Sequence, residues 1–92
     1  MKFISTYSLR PGCQPEAARR FLSGKAIPPA SIKLLGRWHK CDLTGGVSLW
    51  ESDDAAAMYA FALSWGEYLE SSTCPVVEDA EAGAALAAQY GG

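Results

Sequence analysis

The residue types best suited to chemistry lie together in one segment, Gly36-Arg37-Trp38-His39. His39 is the only histidine of the chain, and histidine is the side chain that most often transfers protons near neutral pH. Arg37 adds a permanent positive charge beside the aromatic ring of Trp38. Two interpretations follow for Arg37 and His39. They either contact a ligand or perform acid–base catalysis, or they line a dimer interface or a solvated strand face.

The orientation of these side chains depends on the hairpin that contains them. The loop CDLTGG, residues 41–46, carries the aspartate and glycines typical of a hairpin connection. A simple closure places Arg37 opposite Trp50, where the two side chains would form a cation–π pair worth about 0.5–2 kcal/mol. Alternation along the strand then predicts Trp38 beneath the helices, and Arg37, His39 and Trp50 on the opposite face.

Glu51 and Tyr7 extend the set of candidate residues. In the same register Glu51 faces the helices opposite Gly36, whose missing side chain leaves a gap beside the carboxylate. A buried carboxylate needs a partner, so Glu51 either lies near solvent or lines a small pocket between sheet and helices. Tyr7, on the first strand, either faces that pocket or packs in the core. The ligand-binding candidates are therefore Tyr7, Arg37, Trp38, His39, Trp50 and Glu51.

The sequence lacks the common catalytic and cofactor motifs. No serine lies in a G-x-S-x-G elbow, and a single histidine argues against triad chemistry. No glycine-rich nucleotide loop is present. The three cysteines are odd in number and widely spaced, which predicts free thiols and neither a disulfide framework nor a zinc site. We therefore predict no metal and no cofactor, and no catalytic residue is assigned.

Size and composition predict one folded domain spanning residues 1–92. Hydrophobic residues make up 49% of the chain and charged residues 20%, as in globular proteins. The net charge of -2 and the dispersed basic residues argue against a nucleic-acid partner. No apolar segment approaches the roughly 20 residues that span a bilayer, and the start of the chain lacks a signal-peptide core. We expect a soluble cytoplasmic protein that binds no membrane.

Extended and helical patterns alternate along the chain, separated by proline and glycine. Strands are predicted over 2–10, 31–40, 47–52 and 71–79, and helices over 14–24, 53–68 and 79–92. Right-handed crossovers convert this order into a four-stranded antiparallel sheet of spatial order 4-1-3-2, with helices on one face. The predicted class is α+β, ferredoxin-like, with an extra C-terminal helix. The sheet face without helices must be either exposed to solvent or covered by a second subunit.

Three segments, KLLGRWH (33–39), GGVSLWESDDAAAMYAFALSW (45–65) and CPVVEDAEA (74–82), resemble a family of small prokaryotic proteins known as a domain of unknown function. The resemblance covers nearly the whole chain. That family is similar in turn to the dimeric α+β barrel group, ferredoxin-like chains whose open sheet faces pack in pairs. The group includes cofactor-independent monooxygenases, lactone isomerases, dye-decolourising peroxidases and sensor domains, so the fold does not fix the function. The resemblance implies a homodimer and gives His39 no haem-binding role.

Two functions remain open at this point. The favoured one is a dimeric binding or regulatory module for a small molecule or a protein partner, because no catalytic constellation is recognisable. The alternative is a cofactor-independent enzyme of the monooxygenase or isomerase type, with a pocket between sheet and helices. A pocket that encloses polar side chains would favour a small-molecule site, and a filled core would favour a module without one.

Overall fold

The chain alternates strands and helices in the order that the sequence predicts. A computed structural model describes residues 1–91; Gly92, which the predicted domain includes, lies outside the described residues. The elements are β1 (Lys2–Leu9), α1 (Gln14–Leu22), β2 (Ile32–His39), β3 (Gly45–Ser52), α2 (Ala55–Ser64), β4 (Leu69–Val76) and α3 (Asp79–Tyr90). That the whole chain forms one domain stays a prediction.

The four strands form one antiparallel sheet in the order β2-β3-β1-β4. β1 lies at the centre because it pairs with both β3 and β4, and β2 and β4 form the two edges. The predicted ferredoxin-like α+β plan and the predicted strand order are confirmed. Pro75 lies in β4 opposite Phe3 of β1, and an edge strand tolerates proline because one side of its backbone has no strand partner.

Local residue chemistry explains where the first helix begins and ends. β1 is followed by a turn at Gly12, which adopts a φ of +77° that favours glycine. α1 carries a proline at its start, where the missing N–H would have no partner, and Glu16 near the positive end of its dipole. The chain leaves α1 through Gly24, whose φ is +70°.

The second helix is shorter than the sequence predicts. The side chain of Asp54 accepts a hydrogen bond from the Ala57 backbone N–H, 2.9 Å away, and so caps the helix start. The prediction of a helix over 53–68 was wrong at its end, because α2 ends at Ser64. The carbonyl of Tyr68 accepts a hydrogen bond from the N–H of Arg10 at 2.9 Å, beside the sheet. Pairing with β1 therefore draws this segment out of the helix and starts β4 at Leu69, earlier than predicted.

The core lies where the sheet meets α2. Phe3 and Trp50 are cross-strand partners and are both buried, with 2% of Trp50 exposed. Ile32 and Met58 complete the buried cluster, and Phe61 packs against it with its ring 5.3 Å from that of Trp50 in an edge-to-face arrangement. The side of β3 that faces the helices is therefore the side that carries Trp50.

The β2–β3 ladder contains a register shift at Leu35. Before it, Leu34 pairs with Trp50, and after it Arg37 pairs with Ser48, so Leu35 is an extra, unpaired residue of a β-bulge. The prediction that Arg37 lies opposite Trp50 was therefore wrong. The glycines of the supposed loop are also strand residues, since Gly46 pairs with both His39 and Tyr7.

The bulge reverses the faces predicted for the second half of β2. Arg37, His39 and Trp50 face α1 and α2, where all three line the same cavity. Trp38 lies on the other face and is 58% exposed. The prediction that placed Trp38 beneath the helices and the other three away from them was wrong, because one extra residue, Leu35, inverts the alternation after it.

α3 extends away from the rest of the chain. Every one of its 12 residues, all within the described part of the chain, is at least partly exposed, and Tyr90 is 80% exposed. The molecule measures 53 × 30 × 18 Å along its principal axes, which is elongated for a chain of this length. Between residues 1 and 91, no helix has the length and apolar character needed to cross a membrane.

Candidate functional site

Two rows of side chains cross the sheet on the face beneath α1 and α2. Direct cross-strand pairing places these residues side by side, so each row presents its groups on one face of the sheet. The first row is His39, Gly46, Tyr7 and Ser71, and the second is Arg37, Ser48, Ser5 and Thr73. The polar groups of three or four strands are thereby brought together at the middle of the sheet.

These rows form the floor of a cavity of about 410 Å³ between the sheet and the helices. Its walls are mostly apolar, and they come from α1, from α2 and from the segment that follows α2. The apolar wall residues are Ala17, Ala18, Phe21, Leu22, Met58, Phe61, Ala62, Trp65 and Leu69. The cavity reaches solvent beside Phe21, His39 and Lys40, which are all exposed.

Tyr7 can lie in the cavity because residue 46 is glycine. A Cβ atom at position 46 would lie 2.6 Å from Cζ of Tyr7, so the phenol ring lies directly over the glycine backbone. Burial raises the pKa of Tyr7, and the nearby charge of Arg37 offsets this in part. The phenol is therefore neutral around pH 7 and can donate a hydrogen bond to a ligand.

Arg37 lies between two aromatic rings. Its Cζ atom is 5.5 Å from the ring centroid of Phe21 on α1 and 5.9 Å from that of Trp50 on β3. The expected cation–π contact with Trp50 is therefore present, although the two residues are not direct cross-strand partners. None of the ion pairs formed over residues 1–91 includes Arg37. Its charge is thus half-buried without a carboxylate partner.

His39 lies beside Arg37 at the mouth of the cavity. Its ring packs edge-to-face against Phe21, with the ring centroids 5.5 Å apart. Because Phe21 contacts both Arg37 and His39, the last turn of α1 holds the two basic side chains at the cavity mouth. Among the described lining residues His39 is the one with an imidazole, and its side chain is exposed to solvent.

The charges around the cavity have one sign. The ionisable lining residues within 1–91 are Tyr7, Arg37, His39 and Lys40, and this set contains neither aspartate nor glutamate. The chain as a whole carries ten acidic and eight basic residues. The acidic side chains therefore lie elsewhere, and the cavity has a positive mouth and an apolar interior.

Two serines complete the polar floor. The Trp50 indole N–H donates to Oγ of Ser48 at 2.8 Å, which satisfies a buried donor and leaves the Ser48 hydroxyl proton available. In the neighbouring positions, the hydroxyls of Ser5 and Thr73 hydrogen-bond to each other across β1 and β4. Ser48 is buried directly beside Arg37, so a polar ligand group there would meet both a guanidinium and a hydroxyl.

Four of the six predicted candidates meet in this cavity and two do not. Tyr7, Arg37, His39 and Trp50 line it together. Trp38 lies on the outer sheet face, where its ring covers Gly36.

The position predicted for Glu51 was wrong. It pairs with Lys33 instead of lying opposite Gly36, and its carboxylate faces away from the helices. There it accepts a hydrogen bond from the amino group of Met1 at 3.0 Å. Hydrogen bonds to Glu51 and Asp53 raise the pKa of this amino group. Glu51 is thus an ion-pair partner at a strand end and not a pocket residue.

Sequence reasoning missed several residues that shape the site. Gly46 was assigned to a loop, although its strand position admits the Tyr7 ring. Phe21 belongs to no motif and was not a candidate, although it contacts both Arg37 and His39. Ser48 carried no motif, and its partner became evident only from the hydrogen bond to Trp50. A correct β2–β3 register would have identified Ser48, because it pairs with Arg37.

Comparisons with known proteins agree with the fold and add no activity. A family model described as "Domain of unknown function (DUF3303)" matches residues 1–90. An uncharacterized NIPSNAP domain protein from Burkholderia xenovorans has a similar crystal structure, with a TM-score of 0.52 and 22% sequence identity. The similarity covers 83% of this chain and 93% of that protein, and at this identity it supports the fold alone. No curated protein matches the chain.

Proposed function

Because the chain belongs to the DUF3303 family, a domain of unknown function, we propose its activity from the cavity itself: the domain binds a small organic molecule between the sheet and helices α1 and α2. The observation that carries this proposal is the convergence of Tyr7, Arg37, His39 and Trp50 on one cavity. Ligand sites are typically concave and mostly apolar, with a few polar groups that orient the ligand.

The size and lining of the cavity support this function. Its volume of about 410 Å³ falls within the range of about 300–1,000 Å³ that is usual for small-molecule sites. A cavity of this size in a 92-residue protein forgoes side-chain packing that would otherwise stabilise the fold. We propose that the retained space is used for a ligand.

An enzyme of the cofactor-independent isomerase or monooxygenase type remains the second candidate. It is favoured by one observation, that Tyr7 and His39 lie in the same cross-strand row on either side of Gly46. This arrangement offers a neutral phenol as a donor and an imidazole as a base to one ligand. Conversion of a bound ligand, lost in His39→Gln while binding persists, would distinguish an enzyme from a binding module.

A cavity-filling variant tests the binding function. Ala62 lines the cavity from α2, whereas Ala56 on the same helix is exposed and lies outside it. We expect Ala62→Phe to weaken binding of Nile red, a neutral apolar dye, by about 10-fold or more, which corresponds to about 1.4 kcal/mol. Ala56→Phe adds the same group and should leave dye affinity unchanged. Equal dye binding by wild type and both variants would contradict a ligand site in this cavity.

We also propose that the protein is a homodimer. Two exposed features support this assembly: the outer sheet face, with Trp38 58% exposed, and α3, where Tyr90 is 80% exposed. A short isolated helix is marginally stable in water, so α3 gains stability from packing against another surface. The sequence analysis placed Trp50 on the open sheet face, and that prediction was wrong because Trp50 is buried. Trp38 is the tryptophan that is exposed on that face.

A cytoplasmic location is part of the same proposal. Cys13, Cys41 and Cys74 are unpaired, and the last two are exposed. Exposed free thiols are better suited to a reducing compartment than to an oxidising one. Fractionation of cells that produce the full protein would test this location, and recovery from an oxidising compartment would contradict it.

A further inference from the structure

We infer that the ligand is an amphipathic organic anion whose carboxylate or phenolate oxygen is bound by Arg37 and whose hydrocarbon part occupies the apolar cavity. This inference rests on the proposed binding function and names the class of ligand. It begins with Arg37, which is half-buried, is stacked near two aromatic rings, and belongs to none of the ion pairs within residues 1–91. Partial burial of a guanidinium is costly unless an anion compensates it.

The charge distribution around Arg37 points to an anion from outside the chain. The described lining residues include Arg37, Lys40 and His39 and no acidic side chain. All four ion pairs within residues 1–91 lie at other places, and two of them involve the amino group of Met1. A protein with more acidic than basic residues thus presents a site with positive charge only, which attracts an anion and repels a cation.

Neutral donors lie beside the guanidinium. Ser48 is the direct cross-strand partner of Arg37, and because its Oγ accepts from Trp50, its own proton is free to be donated. Tyr7 provides a second hydroxyl in the adjacent row. A carboxylate can accept several hydrogen bonds at once, and a guanidinium can donate two in parallel to it. A ligand group with donors alone would leave these protein donors unmatched.

The remainder of the cavity fits a hydrocarbon body. Phe61, Met58 and Ala62 face the sheet from α2, and Phe21 faces it from α1. Aromatic walls favour a flat ring system through stacked and edge-to-face contacts. An aryl carboxylate therefore satisfies both ends of the site, and naphthoate is a probe of this kind.

The test compares two probes that differ in charge. Naphthoate and naphthalenemethanol have nearly the same size, but only naphthoate is anionic at neutral pH. Titration calorimetry with the full chain should give at least about 10-fold tighter binding of naphthoate, as expected for a charge-assisted hydrogen bond. Arg37→Met removes the charge and leaves an unbranched side chain of similar length. This variant should abolish the preference for naphthoate and change the affinity for naphthalenemethanol by less than about 2-fold.

Two further variants control this result. Lys33→Met removes the same charge from the same strand, but Lys33 lies on the outer face and should leave the preference intact. Arg37→Lys retains the charge and loses the planar fork, so it should keep a reduced preference for naphthoate. It also provides a readout if Arg37→Met fails to fold.

The outcomes separate this inference from the proposed function. Equal affinity of the wild type for both probes, or an unchanged preference in Arg37→Met, would overturn the inference that the ligand is an anion bound by Arg37. Either result would leave the proposed ligand site in place. Failure of both probes to bind, together with an Ala62→Phe variant that binds Nile red like the wild type, would overturn the binding function itself. A preference for naphthoate that disappears in Arg37→Met and persists in Lys33→Met supports both.

Discussion

Leu34 and Arg37 point to the same face of the sheet although they lie three residues apart. In a regular strand this separation would place them on opposite faces. Leu35 is the extra, unpaired residue of a β-bulge, because Leu34 pairs with Trp50 and Gly36 pairs with the next residue of β3, Leu49. The extra residue shifts the alternation by one, so the side chains of Leu34 and Arg37 lie on the same face. As a result, the strand contributes the buried Ile32 to the core and both Arg37 and His39 to the cavity on the same face of the sheet. β-bulges frequently re-aim side chains beside functional sites.

Gly46→Ala should destabilise the protein by about 1–3 kcal/mol, because a methyl group there overlaps the Tyr7 ring and the backbone carbonyl of Trp38. Urea denaturation measures the effect. Gly83→Ala is the matched control, since a Cβ at this position meets no atom within 4 Å. If Gly46→Ala unfolds at the same urea concentration as the control, Tyr7 does not lie over position 46.

Ser48→Ala should cost about 1–3 kcal/mol of folding free energy, because it leaves the buried Trp50 indole N–H without its acceptor. Ser72→Ala, at an exposed position of β4, should change stability by less than about 0.5 kcal/mol. Chemical denaturation of both variants gives the comparison. Similar losses of stability in the two variants would mean that the indole N–H binds another acceptor or a water molecule.

The stability of the protein should fall at high pH partly through Tyr7. Burial raises its folded pKa above the ordinary value of 10.0, so the fold favours the neutral phenol. The stabilising contribution is complete below about pH 10 and is lost as the pH rises through the folded pKa. Urea denaturation at about pH 8 and about pH 11 measures the free energy of unfolding at each pH. Between these two pH values, Tyr7→Phe should lose less of this free energy than the wild type. A loss in Tyr7→Phe as large as that of the wild type would contradict this role.

Trp38→Lys should weaken self-association, because it places a charge in the outer sheet face that we propose pairs with a second copy. Light scattering at micromolar concentration should show a dimer for the wild type and a larger monomer fraction for the variant. Tyr59→Lys alters an aromatic residue on α2 that is more exposed than Trp38, and this variant should remain dimeric. A monomeric wild type, or a Trp38→Lys variant as dimeric as Tyr59→Lys, would exclude this interface.

Much of the fold was predictable because most changes of structure are signalled by local residue chemistry. The turn at Gly12 and the proline near the start of α1 lie between the predicted first strand and first helix, where proline and glycine separate the two patterns. The cap of α2 is Asp54, one residue after the predicted start of that helix. The end of α2 was not predictable in this way. In its last predicted turn the Tyr68 carbonyl accepts a hydrogen bond from the N–H of Arg10, just after β1, and Leu69 pairs with Leu9 of β1. These tertiary interactions outweigh the helical preference of the segment.

The candidate site was only partly predictable, for a similar reason. Residue types identified Arg37 and His39, but their face depended on a single extra residue between Leu34 and Gly36. Gly36, directly after Leu35, is the one local signal, since an isolated glycine within a strand often marks a β-bulge, but it does not fix the register. Trp50 of β3 was also predicted on the wrong face, because both faces of that strand carry hydrophobic residues, Trp50 on one and Val47 and Leu49 on the other.

The three tryptophans allow the most direct test of a ligand site, since Trp50 and Trp65 line the cavity and Trp38 lies on the outer face. Indole N–H resonances can be followed by nuclear magnetic resonance during titration with naphthalenemethanol, after each is assigned with Trp→Phe variants. A ligand between sheet and helices should shift the Trp50 and Trp65 signals and leave that of Trp38 unchanged. A shift of Trp38 alone, or no shift at saturating probe, would contradict binding in this cavity.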